Sequence, residues 1–92
     1  MSKAQQFDNV WDALEQDPVR AENLRLRSAL LIEISQKIKS MGITQQEAAR
    51  RLQVSQPRVS ALLQGRIERF RLDSLVDMAH RLGLSVQISI AA

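Results

Sequence analysis

Residues 44–65 hold two helix-start signals so close together that the helices they begin must be short and joined by a tight turn. Thr44 with Glu47 three positions later is a capping box, in which the hydroxyl accepts from an orphan amide and the carboxylate reaches back to the cap. A helix therefore begins at about Gln45. Ala48, Ala49 and Leu52 share one side of it at helical spacing, with Glu47, Arg50 and Arg51 turned outward, so its small face can sit close under a neighbour. Ser55 is a second N-cap with Pro57 in the first turn, where a missing amide costs nothing and the fixed φ is already helical. Val59, Leu62 and Leu63 form the inward stripe of this second helix. Gln56, Arg58, Ser60, Ala61 and Gln64 are assigned to outer or flanking positions, and Gly65 suits a left-handed cap.

The remaining chain supplies a frame for this pair. Residues 1–16 form an N-terminal arm in which Asn9 to Gln16 is expected as a short amphipathic helix with Val10, Trp11 and Leu14 on one side. Asp17 as N-cap with Pro18 at the first helical position starts a long helix to about Met41, with Gly42 as its stop. Its expected core face is Leu24, Leu26, Leu30, Leu31, Ile34, Ile38 and Met41, and Ile32 lies outside that arc. A last helix runs from about Leu72 to Leu82 with Leu75, Val76, Ala79 and Leu82 inward, ended by Gly83. From Leu84 to Ile90, apolar Leu84, Val86, Ile88 and Ile90 alternate with polar residues, the pattern of a half-buried strand. A single strand leaves backbone groups unpaired on both edges, so 84–90 is expected to pair with another copy of itself, giving a homodimer. The fold class expected is an all-α bundle of about five helices with one C-terminal β-strand, in one domain over residues 1–92.

Composition narrows the classes of function. With 92 residues the core is modest and an oligomer interface adds useful burial. The absence of cysteine excludes a disulfide framework and thiolate metal sites, and suits a cytoplasmic setting. No apolar run approaches membrane-spanning length and the N-terminus lacks the apolar core of a signal peptide. His80 is the only histidine; with no phosphate loop and no nucleophile–base pair, neither an enzyme nor a cofactor is expected. The net charge is only +3, but from Ile43 to Arg71 six arginines (Arg50, Arg51, Arg58, Arg66, Arg69 and Arg71) stand against Glu47 and Glu68, which is +4. That placement points to an anionic partner, since guanidinium forks suit phosphate and base edges.

The stretch resembles the helix-turn-helix of the lambda-repressor-like (XRE) family, whose pattern runs roughly Thr-Gln-x-Glu-x-Ala and ends in Val-Ser-x-x-x-Val-Ser and a Gly. Gln53 departs from it, standing where the family usually has Gly at the turn. The runs Phe7 to Glu15, Ala21 to Ser28, Gln56 to Ser60 and Phe70 to Leu75 are similar to a HigA-like subgroup of antitoxins and small regulators. The resemblance implies a dimeric repressor of its own promoter, with double-stranded palindromic DNA as one partner and a RelE/HigB-like ribonuclease toxin as another. The acidic residues Asp8, Asp12, Glu15, Asp17 and Glu22 would then face the basic toxin.

Matched to the family motif, Gln56, Pro57, Arg58 and Ala61 take the places where a recognition helix approaches base edges. Gln pairs bidentately with adenine, Arg with guanine, and Ala61 or the Pro57 ring meets a thymine methyl. Thr44, Gln45, Ser55, Ser60, Gln64 and Arg66 are expected at phosphates. Thr44 and Ser55 serve equally as caps, and Arg50 and Arg51 as plain solvated surface. The competing function is a protein-interaction module that keeps the fold but uses its basic face on a protein, since fold alone does not decide function.

Overall fold

The computed structural model describes residues 17–92. Its first helix, α1 (Pro18–Met41), starts where Asp17 Oδ1 accepts from the amides of Val19 and Arg20 and stops at left-handed Gly42, φ 64°. Two eight-residue helices follow, α2 (Gln45–Leu52) and α3 (Gln56–Leu63). A 3-10 turn, Ile67–Arg69, then leads to α4 (Leu72–Arg81). The helical class is as expected. The Asn9–Gln16 helix, with Val10, Trp11 and Leu14, falls outside the described residues.

Both short helices start as their caps require. The Glu47 amide donates to Thr44 Oγ1 at 3.1 Å and the Arg58 amide to Ser55 Oγ at 3.3 Å. Only half of the capping box forms, because the Glu47 carboxylate turns to Arg50 and to Arg51, the latter at 3.4 Å. The two helices also end alike. The amides of Val54 and Gln53 donate to the carbonyls of Ala49 and Arg50, and those of Arg66 and Gly65 to Ala61 and Leu62. Both are Schellman closures, which need a left-handed residue just past the helix. Gly65, φ 78°, meets that need freely; Gln53, φ 59°, is the only non-glycine residue with positive φ among those described.

Packing follows from the apolar stripes. Leu31, Ile34 and Ile38 of α1 meet Ala48, Ala49 and Leu52 of α2, Val59 and Leu62 of α3, and Leu75, Met78 and Ala79 of α4, with Phe70 and Leu82 closing the same core. α1 lies mainly against α4, and α2 against α3. Two assignments need correction. Leu26 is 42% exposed and Val76 37% exposed, while Met78 is buried, because α4 turns its Leu75–Met78–Ala79–Leu82 face to α1 and leaves Leu26 and Val76 on the rim. Ile32 stands outside the core, as its position on the arc required.

The C-terminal strand is not formed. Leu84 packs on the core, and its amide closes the end of α4 on the Ala79 carbonyl at 2.9 Å. Beyond it the chain has no ladder, since a strand exists only through hydrogen bonds to a neighbour and the described residues offer none. Val86 is partly exposed, and Ile88 and Ile90 are 85% and 91% exposed beside a groove that includes Leu26, Leu30 and Val76. Where this groove meets α1, Arg25 donates to Glu22 at 2.7 Å and holds that carboxyl below the ordinary range.

Gln53→Gly is expected to stabilise the fold by about 1 kcal/mol, the cost of a side chain in the left-handed region less the freedom glycine adds to the unfolded chain. Thermal melting should register an increase of several degrees; an unchanged or lower midpoint would mean that the Gln53 side chain contributes something the αL strain conceals.

Candidate nucleic-acid interface

The core-facing stripe of α3 determines which of its side chains are free. Val59, Ala61 and Leu62 are buried and Arg58 is half-buried, so the solvent-facing edge carries Gln56, Pro57 and Gln64, with Ser60 half-buried beside them. Ala61 is the plain correction. It belongs to the core at 7% exposure, being one residue before Leu62 and one turn after Arg58, and does not reach the outer edge. Arg58 is also drawn inward. Its guanidinium lies 4.5 Å from the centre of the Phe70 ring and Nη1 donates to the Arg69 carbonyl at 3.3 Å.

At the other end of α3 three polar residues are joined in sequence. Gln64 Nε2 donates to Ser60 Oγ at 3.2 Å, and Arg66 Nε donates to Gln64 Oε1 at 2.8 Å. Fixing Arg66 through Nε leaves its two terminal amino groups as an open fork, the geometry that suits a phosphate. Arg69 and Arg71 stand exposed on the following turn and connection. Arg50 and Arg51 do not add to this group, because both engage Glu47. The basic surface is thus narrower than the sequence count and is centred on the connection after α3.

The two short helices cross through small residues, Ala48 and Ala49 on α2, and the second leaves a polar edge exposed, followed in the chain by the exposed Arg66, Arg69 and Arg71. A family model described as a helix-turn-helix domain matches residues 14–91. The chain belongs to the helix-turn-helix domain family. No curated protein matches it. In a helix-turn-helix domain the first short helix crosses the DNA backbone and the second enters the major groove with its N-terminal residues at base edges; here these are α2 and α3, so the domain is a DNA-binding one.

The other expected residues are distributed around that edge. Thr44 and Ser55 are engaged as caps and exposed, and Gln45 is exposed at the start of α2. Leu84 is held in the core, whereas Val86, Ile88 and Ile90 lie on the far side of α1 and α4, away from α2 and α3. His80 is exposed, and no cluster of metal-ligating side chains occurs among the described residues. No described helix is long and apolar enough to cross a membrane. Three guanidinium contacts escaped the sequence reading: Arg58 on Phe70, Arg27 Nη1 on the Phe70 carbonyl at 3.1 Å, and Arg81 Nη1 on the Leu52 carbonyl at 3.4 Å. The one available signal was an aromatic residue set among arginines at the end of the basic stretch.

Arg66→Ala should weaken DNA binding uniformly across sequences and lower the slope of log affinity against log salt by about one. Gln64→Ala keeps the charge but frees Arg66, so the same titration should show weaker binding with an unchanged slope. Equal slopes for all three proteins would remove Arg66 from the phosphate surface.

Proposed function

We propose that the protein is a dimeric, sequence-specific transcriptional repressor that binds a palindromic operator, controls its own promoter in the cytoplasm and serves as the antitoxin of a type II toxin–antitoxin pair. The observation that carries the DNA-reading part is the solvent-facing start of α3, where Gln56 and Pro57 are both exposed and neither side chain is hydrogen-bonded to another described residue. Gln56 offers an amide that pairs bidentately with adenine, and the Pro57 ring suits a thymine methyl. Thr44, Gln45, Ser55 and Arg66 take phosphates, with Ser60 and Gln64 orienting Arg66.

The dimer rests on the tail. Its alternating Val86, Ile88 and Ile90 present apolar side chains to solvent, and antiparallel pairing of two copies would satisfy the backbone of 84–90 while covering them. Two-fold symmetry of this kind matches a palindrome, each α3 taking one half-site. The antitoxin role, with a RelE/HigB-like toxin as partner, rests on the resemblance to the HigA-like subgroup. A protein that only binds other proteins would use the same basic face without a steep salt dependence.

Incubating the protein with sheared genomic DNA at near-physiological salt and sequencing the retained fragments tests this function. Enrichment of an inverted repeat upstream of its own gene is the expected result, and an adjacent small toxin-like gene would support the antitoxin role. Uniform or absent retention would transfer the basic face to a protein partner. On the recovered operator, Gln56→Ala should cost about 1–3 kcal/mol and relax one position in each half-site. Deleting residues 85–92, which spares Leu84, should reduce the mass by light scattering from dimer to monomer; an unchanged mass would place the interface elsewhere.

A further inference from the structure

The turn that follows α3 is fastened to the rest of the domain by arginines on two sides. Arg27 reaches it from α1 and donates to the Phe70 carbonyl at 3.1 Å. Arg58 reaches it from α3, stacking over the Phe70 ring at 4.5 Å and donating to the Arg69 carbonyl at 3.3 Å. The Phe70 ring is itself buried, at 1% exposure, so the surface on which Arg58 rests does not move with the solvent. Arg58 also shares its stripe with Ala61 and Leu62, three and four residues later and both buried. Helix geometry therefore directs its stem toward the core, and its head reaches solvent only past Phe70.

Charge gives the second line of argument. Arg58, Arg66, Arg69 and Arg71 fall in one stretch of chain, from α3 through the turn to the start of α4, with Glu68 as the only acid between them. A stretch with this excess of positive charge suits an anionic partner, provided the backbone that carries it is held in place. The contacts of Arg27 and Arg58 with the turn supply that hold.

We propose that Arg58 and Phe70 form a strut that sets the angle between α3 and the arginine-bearing turn, so that Arg58 positions Arg66 and Arg69 on the DNA backbone and base reading falls to Gln56 and Pro57. This rests on the DNA-binding reading and assigns Arg58 a task other than recognition of guanine. Arg58 is then a positioning residue. Its planar stacking on the ring matters, and its charge alone does not replace it.

The test uses the whole chain and two substitutions that keep charge or burial, Arg58→Lys and Phe70→Leu, singly and together. In the free protein each should speed amide exchange at Arg69 and Phe70, whose amides donate to the carbonyls of Arg66 and Ile67, while the core amides of α1 keep their protection. On DNA each should weaken binding to the operator and to a scrambled duplex by the same factor, roughly two- to fivefold, the worth of a partly exposed cation–π contact. The double variant should bind no worse than the weaker single one, because both changes remove one contact. Relaxed preference at a single operator position in Arg58→Lys would make Arg58 a base reader and overturn the strut. Additive losses, or unchanged exchange at Arg69 and Phe70, would overturn it as well. Should the unaltered protein show no salt-dependent DNA binding, the proposed function fails while the exchange measurement still decides the strut.

Discussion

An eight-residue helix does not persist by itself in water, because nucleating its first turn costs more than so few hydrogen bonds return. α2 and α3 are both of that length. They exist because each is closed at both ends and the two pack on each other within a core shared with α1 and α4, where Ile34 and Ile38 are almost fully buried. Ala48 and Ala49 keep the crossing close, and Leu52 and Leu62, both with no exposed surface, fix its register. Truncating either leucine to alanine would open a cavity in that shared core, at a cost on the order of 2–5 kcal/mol. For a domain this small such a loss is a large share of the total stability. The exposed edge of α3 is thus a by-product of core packing on its other side.

The caps and stops were the most legible part of the sequence, because they depend on near neighbours alone. Asp17 with Pro18, Thr44, Ser55, Gly65 and Gly83 all act where the chain places them, and even the left-handed state of Gln53 followed from its place in the motif. Faces were less legible wherever a third element decided them. Ala61 looked peripheral on a helical wheel of α3 alone, yet the core that forms around Leu62 and Phe70 takes it in. Leu26 and Val76 fit the periodicity of their helices but sit at the rim of the α1–α4 contact. The strand is absent from the single chain for a related reason: alternation describes a side-chain pattern, whereas a strand also requires a neighbour. Long-range arginine contacts, such as Arg81 on the Leu52 carbonyl, had no local sign at all.

Electrostatics sharpened in the same way. Counted along the chain, the basic stretch begins at Arg50, but Glu47 draws Arg50 and Arg51 into exposed ion pairs and leaves the positive surface at the connection beyond α3. Such exposed pairs add little to stability. Their effect is on the shape of the field, which is moved from the outer side of α2 toward the turn between α3 and α4.

The burial of Ala61 has a consequence for how much any one copy of this domain can discriminate. A recognition helix that shows only a few side chains to a groove extracts little information, and each base pair it distinguishes is worth about 1–3 kcal/mol. A genome offers millions of competing sites, so a face this narrow would select an address only when its energies are added over a second copy or supplemented by the stiffness and groove width of the DNA between contacts. In the proposed dimer, specificity is a property of the assembled reader, with each chain supplying half of the word.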